Sequence, residues 1–173
     1  MNLWLIGYRC TGKTTVGRLL AEGVGLRFID ADVALTREIG QSISAFVSEN
    51  GWAAFRREES KIIQNLSQGD GQIVATGGGV VLDPANVQMM RETGTVVWLT
   101  ARPETILPRL GKDPGTAENR PALTDEGLAA EVRSTLAERE PLYASAAHHS
   151  VETDGRGPSE VAARIRALLD SAA

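Results

Sequence analysis

The stretch GYRCTGKTT, residues 7–15, decides the fold. It satisfies the phosphate-binding pattern G-x-x-x-x-G-K-[ST] at each fixed position, through Gly7, Gly12, Lys13 and Thr14. The apolar run NLWLI (2–6) leads into Gly7, as a short buried parallel strand does. Behind the turn, Val16, Leu19, Leu20 and Val24 recur at helical spacing, and Gly25 supplies a stop. A tight turn between a strand and a helix N-terminus gathers backbone N–H groups, which is what a chain of phosphates requires. In that setting Lys13 reaches the β- and γ-phosphates of a nucleotide, and the Thr14 hydroxyl binds Mg2+. The middle of the turn, Arg9-Cys10-Thr11, carries side chains where smaller residues sit more easily. A left-handed backbone at Cys10 would cost on the order of 1 kcal/mol because of its β-carbon.

The alternation continues outward. RFIDAD (27–32), QIVAT (72–76), TVVWLT (95–100) and HHSVET (148–153) read as four further strands. Residues 33–69 are mostly helical in pattern, punctuated by Gly40 and Gly51. Helices are expected from Asp83-Pro84 through about Glu92, and from Arg102-Pro103 to near Gly111. Two more are expected over EGLAAEVRSTLAERE (126–140), stopped by Pro141, and over EVAARIRALLDS (160–171), capped by Ser159. Strands alternating with helices give an α/β fold of three layers, with a central five-stranded parallel sheet between helices. Ligands of such sheets bind at the carboxyl ends of the strands. The chemically distinctive residues fall there: the glycine turn, Asp30 and Asp32 after the second strand, and Gly77 to Gly79 after the third.

The 173 residues amount to one domain. A formal net charge of -4 gives no field for nucleic acid, so any basic site is local. No apolar run is long enough to span a membrane, and MNLWLIGYR is too short and uncharged at its start for a signal peptide. One cysteine allows no internal disulfide and suits a reducing compartment. The expectation is a cytoplasmic monomer with small-molecule partners and neither nucleic acid nor membrane.

Taken in order, GYRCTGKTTVGRLLA, FIDAD, FRREE, ATGGG, NRPAL and REPLY resemble the shikimate kinase family, from residue 3 to about residue 160. The resemblance implies a P-loop kinase fold of the nucleoside-monophosphate-kinase type. It implies transfer of the γ-phosphate of ATP to the 3-hydroxyl of shikimate, with Mg2+, in aromatic amino-acid (chorismate) biosynthesis. A single kinase domain would cover 1–173, with a substrate-binding helical region at about 33–62 and a lid at about 111–124. The implied ATP-binding residues are Gly7, Cys10, Thr11, Gly12, Lys13, Thr14 and Thr15, with Arg109 stacked on adenine, Arg120 from the lid and Arg156 near the nucleotide. Arg56 and Arg139 match the carboxylate-binding arginines, whose planar forks suit that group. Glu59, one turn after Arg56, is spaced to hold it. Asp32 matches the aspartate that binds substrate hydroxyls and accepts the proton of the attacking 3-hydroxyl. Thr14 and Asp30 match the metal positions, and Thr76 stands where a hydroxyl reaches a metal-bound water. Gly77, Gly78 and Gly79 would line the substrate site, where glycine lets a ligand approach the backbone. Lys13, Asp32 and Arg120 form the implied catalytic set, Arg120 arriving on closure to stabilise developing charge.

Bland roles stand beside these. Asp32 is placed to cap the helix after it, and arginines on helix faces are usually solvated, as expected for Arg57. His148 and His149 show no metal-ligand spacing. Three residues depart from the family pattern: Cys10 for the usual glycine, Trp52 for glutamate, and Val47 for phenylalanine, with Phe46 adjacent. They either repack the helices or reshape the pocket for another polyhydroxy acid. The rival functions are a related kinase, such as a gluconate kinase, and a nucleotide-binding module without catalysis. FRREE and REPLY weigh against the first; Lys13, Thr14, Asp30 and Asp32 weigh against the second.

Overall fold

The computed structural model of the chain describes residues 1–112 and 127–171. Strand β1 (Asn2–Ile6) runs through the phosphate turn into α1 (Lys13–Val24), then β2 (Arg27–Asp30), α2 (Ala31–Ile39) and α3 (Ile43–Ser67). Next come β3 (Gln72–Ala75), a single 3-10 turn (Val80–Leu82), α4 (Pro84–Thr93), β4 (Gly94–Thr100) and α5 (Pro103–Leu110). The chain ends with α6 (Leu128–Ala146), β5 (His149–Glu152) and α7 (Pro158–Ser171). All five strands pair in parallel, in the order β2-β3-β1-β4-β5.

The apolar runs are continuous because the sheet is covered on both faces. Alternate residues of a strand point to opposite sides. Leu3 and Leu5 of β1 join Ile73, Val97, Leu99 and Val151 in a core closed by α1 and α7. Trp4 and Ile6 join Val74 and Val96 in the opposite core, with residues of α3, α4 and α6. A third cluster of Tyr8, Ile106, Leu110, Val132 and Leu136 packs α5 on α6 beside the phosphate turn. The chain leaves β1 toward one edge of the sheet and leaves the adjacent β3 toward the other. A crevice therefore opens at their carboxyl ends.

Local expectations fail at two ends. Pro141 does not stop α6, which continues to Ala146. Tyr143 and Ala146 are both fully buried in the core against the sheet, and that burial outweighs the backbone hydrogen bond a proline forfeits. The last helix begins at Pro158, so Ser159 lies within its first turn and does not cap it. Gly51 does interrupt the long helical segment: its φ of 78° and ψ of 167° bend α3 just before Trp52.

Gly94, the first residue of β4, lies beside Asn2 of β1. A β-carbon at Gly94 would come within 2.1 Å of the Asn2 carbonyl oxygen, which is backbone and cannot swing aside. Gly94→Ala should therefore destabilise the fold by about 1–3 kcal/mol through overpacking. The expected readout is a lower urea midpoint at unchanged m-value.

Candidate active site

The turn between β1 and α1 is built around its own carbonyls. Gly7 (φ 138°) lies so close to β4 that a β-carbon would sit 2.5 Å from the Leu99 carbonyl oxygen. Gly7 lines neither of the two cavities described below; it lets the turn form. Lys13 folds back, its Nζ donating to the carbonyls of Gly7 and Tyr8, each at 2.8 Å. The buried Thr11 hydroxyl also donates to Tyr8, at 2.9 Å. Cys10, with φ 60°, is the one non-glycine residue in the left-handed region among the described residues, so the strain anticipated there is present.

Asp30 and Asp32 divide their work differently from expectation. Ala31 is already helical, so Asp32 and Val33 are the second and third residues of α2, whose free N–H groups a capping side chain reaches. Asp30 Oδ1 accepts from both, at 3.1 and 3.3 Å, making Asp30 the cap and not Asp32. Its Oδ2 accepts from the Thr14 hydroxyl at 2.8 Å. Asp32, in the first turn of α2, lines the main cavity.

That cavity, of about 480 Å³, lies at the carboxyl ends of β1, β2 and β3. Lys13, Thr14, Asp30 and Asp32 line it together with Arg56, Glu59, Gly77, Gly78, Gly79 and Arg139. Arg56 Nη1 donates to Glu59 Oε2 at 2.6 Å, one helical turn away as the spacing suggested. The other Glu59 oxygen is buried without a hydrogen-bond partner. Burial pushes the Glu59 carboxyl above its ordinary range, against the pull of Arg56 and Arg139. Arg139 is 7% exposed, and its Nε also lacks a hydrogen-bond partner. Burial drives the Tyr143 hydroxyl up to about 12, so it stays a neutral donor to the Gly78 carbonyl.

The glycines make room for the site's own charges. A β-carbon on Gly77 would lie 2.6 Å from Glu59 Oε1 and 2.9 Å from Asp32 Oδ1. One on Gly79 would lie 2.2 Å from Arg56 Nη2. The Thr76 hydroxyl donates to the Leu5 carbonyl at 3.0 Å, which ties the end of β3 to β1, and Thr76 lines the main cavity.

A second cavity, of about 340 Å³, lies on the other side of the turn, against Arg109, Thr153, Arg156 and Val161. Cys10, Gly12 and Thr15 line both cavities, so the two meet at the turn. Arg109 Nη1 donates to the Cys10 carbonyl at 3.1 Å and to Thr153 Oγ1 at 3.3 Å. Arg156 pairs with Glu152 at 2.7 Å and Glu160 at 3.3 Å. Arg120 lies outside the described residues, as does most of the expected lid.

Sequence reasoning passed over Arg9, Tyr8 and Tyr143. Arg9 lines the main cavity, pairs with the buried Glu131 of α6 and sits 5.6 Å from the Tyr8 ring centroid. Its oddity within the turn was visible, but its partner stands 122 residues away, where no local pattern points. Tyr143 closes the REPLY block, where nothing in the local pattern points to its hydroxyl bond with the Gly78 carbonyl. His148 has a structural role: its Nδ1 accepts from the Val96 N–H at 2.9 Å.

The family model for shikimate kinase matches residues 9–170. The chain belongs to the shikimate kinase family. It is 40% identical to Shikimate kinase 2 of Sodalis glossinidius over 172 residues, covering 99% of this chain and 98% of that relative. It is 39% identical to Shikimate kinase of Symbiobacterium thermophilum over 169 residues, covering 98% and 96%. The solved shikimate kinase of Acinetobacter baumannii, in complex with shikimate, superposes with a TM-score of 0.92 at 34% identity, covering 98% of this chain and 93% of that one. The five-stranded parallel sheet is thus the P-loop kinase fold that the sequence implied. Among the described residues no helix is long and apolar enough to cross a membrane.

Because its folded pKa is raised, Glu59 contributes stability at low pH that is lost as the pH rises through that pKa. Glu59→Gln, which mimics the protonated form, should therefore show a urea midpoint at neutral pH no lower than that of the unaltered protein. The margin should shrink as the buffer is acidified. A clearly lower midpoint at neutral pH would mean that the Arg56 bond outweighs the burial.

Proposed function

We propose that the chain transfers the γ-phosphoryl group of ATP to the 3-hydroxyl of shikimate, giving shikimate 3-phosphate and ADP for chorismate biosynthesis. One observation carries the reading. A single cavity joins the phosphate turn to a carboxylate, Asp32, and to two arginines, Arg56 and Arg139. A small acid bearing hydroxyls needs that combination beside a nucleotide's terminal phosphate.

In this reading Arg56 and Arg139 take the substrate carboxylate. The unpartnered Arg139 Nε is a buried donor whose cost falls when an acceptor arrives. Asp32 binds the ring hydroxyls and accepts the proton as the 3-hydroxyl attacks. Gly77 to Gly79 bound the substrate on the β3 side. Gly12, Lys13, Thr14 and Thr15 receive the phosphates, Lys13 exchanging its two carbonyl partners for phosphate oxygens. The base lies in the second cavity, between Arg109 and Arg156, beside Cys10 and Thr11. Arg120 is assigned to the transferred phosphoryl on the NRPAL block alone. The neighbouring oxygens of Thr14 and Asp30 fit a hard cation that keeps several waters and takes its other ligands from phosphates. Mg2+ held there would neutralise charge on the β- and γ-phosphates. Among the described residues no group of three or more His, Cys, Asp or Glu side chains forms an all-protein metal cage, which suits that kind of site. A single cysteine and ATP as co-substrate support a cytoplasmic location, and we read the protein as a monomer.

The test is ADP release from Mg-ATP with shikimate, with gluconate and with no acceptor. Release should depend on shikimate; release with gluconate alone, or with neither acid, would overturn the substrate. Lys13→Ala should nearly abolish turnover. Arg139→Ala should raise KM for shikimate by roughly 30-fold or more, as loss of a buried charge partner does, with little change for ATP. An equal loss for ATP would remove Arg139 from the acceptor site.

A further inference from the structure

Arg56 is enclosed from several directions. Its guanidinium carbon lies 5.4 Å from the Trp52 ring centroid and 5.0 Å from that of Phe55. The two rings meet edge to face, 5.5 Å apart at 90°, so they wall the cation at a corner. Glu59 takes one N–H, and the bare Cα of Gly79 lies against the fork. The two rings differ in their other duties. Both rings line the main cavity, but Phe55 is 4% exposed and part of the core, whereas Trp52 is only partly buried and packs against that core from the cavity side. Trp52 also follows the bend at Gly51, which sets it apart from the preceding turn of α3.

We propose that Trp52 is a positioning and specificity-determining residue that acts through Arg56. An aromatic ring attracts a cation without consuming any of its N–H donors. A second carboxylate in that place would occupy donors that Trp52 leaves for the ligand. Holding the long arginine side chain before the ligand arrives removes ordering that binding would otherwise have to impose. Trp52 thereby favours a rigid acid over the same molecule without its charge. The inference rests on the reading that Arg56 binds the substrate carboxylate.

The test compares the unaltered protein with Trp52→Leu, Trp52→Phe, Arg56→Ala and the Trp52→Leu/Arg56→Ala double variant, each first checked for a cooperative thermal transition. Trp52→Leu should raise KM for shikimate about tenfold, with kcat and KM for ATP within about twofold, the size expected for a partly desolvated cation–aromatic contact. Trp52→Phe should largely restore KM. Discrimination between shikimate and its methyl ester should fall in Trp52→Leu. In the Arg56→Ala background, Trp52→Leu should add less than about twofold, because the two residues act as one unit. An equal effect in both backgrounds would mean that Trp52 acts by packing alone, and an unchanged KM in Trp52→Leu would remove its role; either overturns the inference while the Arg56 reading stands. An unchanged KM in Arg56→Ala would overturn that reading and this one together. If Trp52→Leu lost its thermal transition, Trp52→Gln would carry the same comparisons.

Discussion

The structure depends on how β1 ends. The strand is buried on both faces and paired on both edges, so its last residue has little freedom to move. The chain must then turn within van der Waals reach of the Leu99 carbonyl, and at Gly7 only the absence of a β-carbon permits it. From that point the positions of the other groups follow. Gly12 delivers the chain into α1, Lys13 clamps the turn's carbonyls, and Thr14 meets Asp30 at the end of β2. The cradle is rigid because the centre of the sheet is rigid.

Around this turn the protein concentrates charge that its net balance of -4 does not reveal. Arg9 with Glu131 and Arg56 with Glu59 are pairs with at least one well-buried member. Such pairs are weak sources of stability, since removing the ions from water offsets most of their attraction. Their value here lies in direction: each fixes a cation at the wall of the main cavity. The unpartnered oxygen of Glu59 and the Arg139 Nε belong to the same economy, polar atoms whose burial makes sense beside a polar ligand. Two cavities meet at Cys10, Gly12 and Thr15. Under the proposed function, a nucleotide in one cavity and an acceptor in the other would meet at the terminal phosphate, and positioning of that kind is most of what phosphoryl transfer asks of a protein.

By itself the sequence determined the layered architecture, the phosphate turn and most of the residues around it. Those signals are local: alternating strand and helix periods, a motif within nine residues, and short blocks whose partners lie a turn away, as Glu59 does from Arg56. What local signals could not supply was the outcome of competition between near neighbours and the company that distant ones keep. Asp30 took the capping role because β2 ended two residues earlier than the RFIDAD pattern suggested. Pro141 lost to the burial of Tyr143 and Ala146, a contact with the sheet that no helix-stop rule contains. Arg9 found Glu131 across 122 residues, and Gly79 proved to be small for the sake of Arg56. Only the tertiary structure decided these, because they are set by which surfaces the sheet brings together, and side-chain space at those meetings depends on both partners at once.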